Sequence, residues 1–125
     1  MIGFTASCFD LLHAGHIEML RECKYNCSYL IVGLNLNPTK KVTTQSAMER
    51  YVQLAGCKYV DEVIPYESEK DLENLLLLKR IDIRFLGEDY LGLRFTGDHL
   101  DIDIHYNDRN HGFSTSELRD RCKKN

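Results

Sequence analysis

The chain has 125 residues, 16 Lys and Arg against 19 Asp and Glu, a formal net charge of -3 and 43% hydrophobic side chains, which suits one compact domain over residues 1–125 with a core of its own. The mildly acidic balance argues against a nucleic-acid partner, which calls for a strongly basic face. Five cysteines, an odd number with no secretory leader before them, argue against a disulfide framework and for a cytoplasmic setting, and no run approaches the ~18 apolar residues of a membrane span.

Residues 1–7 read as a first, central strand. Asp10 to Gly15 breaks the run, and the spacing of Ile17, Leu20 and Cys23 predicts a helix from Gly15 to about Cys27. Ser28–Leu34 is a buried-strand run, followed by a polar loop to Thr44. A helix over 46–56 opens on Ser46 and Glu49, which are spaced as a capping box. Then come a strand over 59–65, a helix over 68–79, strands over 81–86 and 101–106, and a terminal helix over 114–123 with a Ser or Thr cap. Alternating β and α elements with buried strands predict a single Rossmann-like, doubly wound parallel sheet of about five strands with helices on both faces. Ligands of such sheets bind beyond the carboxyl ends of the strands, so the residues after Ser7 are where chemistry is expected.

Asp10-Leu11-Leu12-His13-Ala14-Gly15-His16 places two imidazoles three residues apart at a strand-to-helix turn. Backbone N–H groups and the positive end of the helix dipole would lie beside both rings, which makes an anion site. Two readings compete with it. One is a capped helix with incidental histidines. The other is zinc held by His13, His16, Cys23 and Cys27, but eleven residues of helix separate His16 from Cys27, roughly 16 Å at 1.5 Å per residue, too far for one coordination shell. The segment Arg109-Asn110-His111-Gly112-Phe113-Ser114-Thr115-Ser116 again joins a loop to a helix start, with a guanidinium and hydroxyls suited to a polyphosphate. Charge is distributed accordingly: residues 1–58 carry 6 basic and 4 acidic side chains, 59–108 carry 5 and 13, and 109–125 carry 5 and 2. Both proposed phosphate turns therefore sit in the net-positive ends, a basic pocket in an acidic body.

C-F-D-L-L-H-A-G-H resembles the H-x-G-H motif of nucleotidyltransferases of the cytidylyltransferase type, and R-N-H-G-F-S-T-S resembles that group's R-T-x-G-I-S-T-T. Tyr59–Pro65 and Leu86–Tyr90 are similar to segments of the glycerol-3-phosphate cytidylyltransferases. The resemblance implies CTP with its phosphates over His13 and His16, near Cys8, Phe9, Ala14 and Gly15. Arg109 to Ser116 would surround the triphosphate and nucleoside, and Glu88 and Asp89 would lie near the nucleoside. Asp10 would support the histidine loop. Lys40 or Lys41 would be the basic residue of the loop after the second strand, with Lys41 counted among the catalytic groups beside His13, His16 and Arg109. Lys40, Lys41, Arg50 and Lys58 would meet the acceptor. The reaction implied is CMP transfer from CTP to a phosphorylated alcohol, glycerol 3-phosphate above all, giving CDP-glycerol and pyrophosphate. Magnesium would accompany the nucleotide, no metal would be held by protein ligands alone, and the chain would form a homodimer. Ala14, where the glycerol-phosphate enzymes have tryptophan, resembles the heptose-phosphate adenylyltransferase branch. It implies the alternative of ATP with a sugar phosphate or cofactor precursor; a non-catalytic nucleotide-binding module is the third reading.

Overall fold

A computed structural model describes residues 1–39, 42–108 and 115–123, without the side chains of 115–117. The elements run in the order β1 (Ile2–Ser7), α1 (Ala14–Tyr25), β2 (Tyr29–Asn35), α2 (Ala47–Ala55), β3 (Glu62–Tyr66), α3 (Glu69–Leu78), β4 (Ile83–Gly87), a short 3-10 turn Glu88–Tyr90, β5 (Asp103–Asn107) and α4 (Thr115–Lys123). All strand pairs are parallel, in the order β3-β2-β1-β4-β5. This is the expected doubly wound sheet, its direction of winding reversing at β1.

The two faces are filled by different halves of each strand, because successive side chains point to opposite sides. One face packs Leu30, Val32, Leu34 and Phe85 against Leu20 and Cys23 of α1 and Leu54 of α2. The other packs Phe4, Ile31 and Tyr66 against Leu72 and Leu76 of α3. Burying each large apolar side chain stabilises the fold by about 1.5–3 kcal/mol. Gly33 of β2 is where the sheet tolerates no side chain: a Cβ there would lie 2.8 Å from the Phe4 ring.

The helix starts follow the local chemistry. Ser46 Oγ accepts the Glu49 amide and Glu49 returns a carboxylate to the Ser46 amide, the capping box read from the sequence. Ser68 caps α3 through the Asp71 amide. One boundary differs from expectation. Tyr59 and Val60 are apolar enough for a strand, but the Val60 amide donates to the Cys57 carbonyl, closing a turn after α2, so β3 begins at Glu62.

The pairing at the switch point is short. β1 and β2 are in register over six residue pairs, whereas β1 meets β4 only at Gly3 with Ile83 and at Phe4 with Arg84. Both strands continue three residues beyond that last rung, and the crevice between their carboxyl ends is the mouth of the cavity described next.

Candidate functional site

A cavity of about 760 Å³ lies at the carboxyl edge of the sheet, lined by residues of β1, β2, β4 and β5, the start of α1, and the segment after β4. The chain enters it through strained backbone: Phe9 and Leu11 have φ of 49° and 52°, the left-handed region that costs non-glycine residues about 1–3 kcal/mol each. Between them Asp10 is almost wholly buried and holds this conformation from below. Its carboxylate accepts the Thr44 and Gln45 amides, both at 2.9 Å, and pairs with the Arg119 guanidinium of α4. Burial alone would raise the Asp10 pKa, but these two amides and the Arg119 charge outweigh it and hold the carboxyl below its ordinary value. The Leu11 amide is taken by Gln45 Oε1 at 2.8 Å, a second tie from the same loop to the loop before α2.

Beyond Leu12 the two histidines form the N-terminal cap of α1 with each other. His13 is the cap residue: its Nδ1 accepts the Gly15 amide at 2.9 Å and its ring also accepts the His16 amide, while the His13 amide donates to His16 Nδ1 at 3.1 Å. The rings lie with centroids 4.1 Å apart, and Phe9 packs 5.7 Å from His16. A neutral imidazole whose Nδ1 accepts carries its proton on Nε2. Capping therefore sets the tautomer of both rings, and both residues line the cavity. The capped-helix reading is what the structure shows: backbone amides take Nδ1 of both rings, which leaves the proton of a neutral ring on Nε2.

The structure brings Cys8, Phe9, His13, Gly15, His16 and Asp89 together on the cavity. Cys8 is 4% exposed, and its carbonyl accepts from Arg50. Ala14 and Glu88 are not among the residues that line it. Two expected acceptor residues are not among those that line the cavity. Lys58 lies in the turn between α2 and β3, at the amino edge of the parallel sheet, where its ammonium sits over the Tyr59 ring. A strand length separates it from the cavity. Arg50 is buried and gives its guanidinium to protein, Nη1 reaching the Cys8 carbonyl at 2.9 Å and the Asn35 carbonyl at 2.7 Å. It cross-links the carboxyl ends of β1 and β2. Lys40, Lys41, Arg109, Asn110, His111, Gly112, Phe113 and Ser114 lie outside the described residues, as do the side chains of Thr115 and Ser116 at the start of α4.

Sequence reasoning missed three groups that build the site. Arg119 reaches Asp10 across 109 residues of chain. Arg84 is a buried cation in β4, and its signal was present as a charged residue inside the apolar run I-D-I-R-F-L-G. Asn107, at the end of β5, donates to Glu22 of α1 at 2.7 Å, and His105 Nε2 is 2.9 Å from the same carboxylate, fixing α1 against the sheet. Among the described residues no three His, Cys, Asp or Glu side chains are grouped to hold a metal ion, and no helix is long and apolar enough to cross a membrane. Burial pushes the thiols of Cys23 and Cys27 up, away from the thiolate a metal would need.

Comparison with known proteins bears on this geometry. Over 98% of its length the chain is 34% identical to the Bifunctional protein HldE of Campylobacter jejuni (strain RM1221) and 33% identical to that of Helicobacter pylori (strain ATCC 700392 / 26695). It is 39% identical to that of Caulobacter vibrioides over 71% of its length. The chain spans 28% of the first two relatives and 20% of the third. Among solved structures, a lipopolysaccharide core biosynthesis protein from Thermoplasma volcanium GSS1 superposes with a TM-score of 0.65 at 23% identity, covering 99% of this chain and 87% of that one. A pantothenate synthetase from Thermus thermophilus superposes with a TM-score of 0.52 at 15% identity, over 85% of this chain and 55% of that one. At these identities the likeness is one of fold. The cytidylyltransferase-like family model matches residues 4–121, which include both the histidine loop and the strands that frame the cavity, and this chain belongs to that family.

Proposed function

We propose that the chain is a nucleotidyltransferase domain that transfers a nucleoside monophosphate from a nucleoside triphosphate to a phosphorylated acceptor, ATP and a sugar phosphate being the preferred pair. The observation that carries the reaction class is the mutual cap of His13 and His16, which makes both rings Nε2–H donors on one cavity. Family membership supports the same class. An acceptor phosphate oxygen would attack the α-phosphorus, forming one P–O bond. The bond from that phosphorus to the bridging oxygen would break, its electron pair leaving with pyrophosphate. A phosphate monoester is mostly ionised near neutral pH, its second pKa being about 6, so no strong base is needed. Alignment and donors aimed at developing charge suffice. The two imidazoles would serve the oxygens around the α-phosphorus and the leaving group, and Lys41 and Arg109 would neutralise phosphates. Magnesium would arrive as part of the nucleotide substrate and would supply positive charge against its phosphates.

Two observations support ATP and a sugar phosphate: the H-A-G-H spelling, which resembles the heptose-phosphate adenylyltransferase branch, and the HldE relatives, which match over nearly the whole chain. Transfer from CTP to glycerol 3-phosphate is the second reading, favoured by the likeness of Tyr59–Pro65 and Leu86–Tyr90 to the glycerol-phosphate enzymes. A homodimer belongs to the same proposal and is read by sedimentation. The deciding experiment measures pyrophosphate release with ATP or CTP, magnesium, and a panel of sugar phosphates and glycerol 3-phosphate. Release with ATP and a sugar phosphate supports the first reading, and release only with CTP and glycerol 3-phosphate replaces it with the second. In the productive pair, His16→Ala lowers turnover by about 100- to 1000-fold while nucleotide affinity changes far less. Wild-type turnover in that variant would remove His16 from the reaction.

A further inference from the structure

The cavity has two chemically different sides. The histidines reach it from α1, on the face where Phe85 packs. Arg84, the residue before Phe85, points to the other face, beside Tyr66 and α3, and lines the same cavity. It stands on the last paired rung of the switch point, opposite Phe4, so the crevice between β1 and β4 opens directly above it. We infer that Arg84 is the floor of a second, phosphate-binding subsite that receives the phosphate of the acceptor, an inference that rests on the nucleotidyltransferase reading for the word acceptor but not for the anion.

Arg84 is 5% exposed, and a buried guanidinium is ordinarily matched by a carboxylate. Among the described residues no carboxylate forms an ion pair with it. Asp98 is engaged by Arg94 at 2.5 Å, and Glu69 takes the Thr96 hydroxyl at 2.6 Å. Of the five N–H donors of a guanidinium, one is used on the described residues, from Nη1 to the Thr96 carbonyl, and the Phe95 ring centroid lies 5.2 Å from Cζ. This leaves a fixed cationic fork with spare donors on a cavity wall, the geometry that takes a phosphate through paired charge-assisted hydrogen bonds.

The surroundings hold the fork still. Gly97 has φ of +82°, and a Cβ there would come within 2.7 Å of Leu76 and 3.3 Å of Arg84 Nη1, so only glycine lets the 95–98 turn settle on the guanidinium. Tyr66 beside it is buried, with its phenol pushed up to about 12, and stays a neutral O–H at working pH. Glu69 supplies a carboxylate on the same wall, suited to accepting from hydroxyls and repelling a second anion. The ligand class that fits is therefore a phosphomonoester carrying hydroxyl groups. Its phosphate would sit on the α3 side of the crevice and the nucleotide phosphates on the α1 side, so the reacting groups converge over the strand ends.

The test uses Arg84→Met and Arg84→Lys in steady-state assays of pyrophosphate release with the productive pair. Arg84→Met raises the KM for the acceptor by about 10- to 100-fold, the loss of hydrogen bonds to a charged group, and leaves the KM for the nucleotide within about twofold. Arg84→Lys recovers part of the acceptor affinity. Equal rises in both KM values, or an unchanged acceptor KM in either variant, overturns the inference; if Arg84→Met does not fold, Arg84→Lys alone decides in the same way. Should no pair release pyrophosphate, the enzyme reading fails separately, and inorganic phosphate becomes the probe. It raises the Tm of the wild type by more than that of Arg84→Lys, and that of Arg84→Met least, whereas an equal shift in the wild type and both Arg84 variants refutes the subsite.

Discussion

The two edges of this sheet are tied by opposite means. At the amino edge the Lys24 ammonium meets Asp61 at 2.5 Å, the terminal amine of Met1 donates to Ser28 Oγ, and Asp82 accepts the Ile2 amide, all near solvent. At the carboxyl edge the ties are Asp10, Arg50 and Arg84, each no more than 5% exposed. Exposed ion pairs are screened and contribute little, whereas a buried charge deprived of its partner is costly because water cannot replace it. The amino edge is therefore a tolerant seam. The carboxyl edge concentrates strain, charge and burial where the histidine loop must be held.

Substitutions at the two edges should separate accordingly. The largest stability effect is expected at Asp10→Asn, which leaves Arg119 without its carboxylate and loosens two amides at once. A loss of about 3 kcal/mol in denaturant unfolding, together with reduced turnover, is expected, and a loss near that of a surface pair would mean that Asp10 is not the clamp. The same residue gives a pH signature. Its folded pKa lies below the ordinary 3.8, so its stabilisation is complete above that value and disappears as the pH falls through the lower, folded pKa. Asp10→Asn should flatten that acid limb of the stability curve. Arg50→Met comes next, at about 1–3 kcal/mol, because it strands the Cys8 and Asn35 carbonyls, partly offset by removing a buried Nε that has no partner among the described residues. Lys24→Ala should cost about 0.2–1 kcal/mol, less at high salt, with no change in turnover. A larger loss there would erase the contrast between the edges.

The sheet was legible because its evidence is local: apolar runs, turn breakers and the Ser46–Glu49 pair each declare themselves within a few residues. The histidine loop was legible for the same reason, although its reciprocal cap was not, since that depends on which ring nitrogen the backbone claims. Lys58 and Arg50 lie off the cavity lining for opposite reasons. A lysine placed by family likeness lies at the far edge of the sheet, and an arginine that looks like a phosphate ligand is consumed by carbonyls from β1 and the end of β2. Arg119 was illegible because its partner Asp10 arrives only through tertiary structure, and Arg84 declared itself only as a charge inside an apolar strand.

The Asp10–Arg119 pair also has a meaning in time. A loop formed within the first dozen residues is completed by a side chain near the far end of the chain, so its closure has a very large sequence separation, the kind of contact that forms late. During synthesis, the strands and first three helices can assemble while the histidine loop remains unlatched. Competence to bind would then be the last property the domain acquires, arriving with α4 rather than with the sheet.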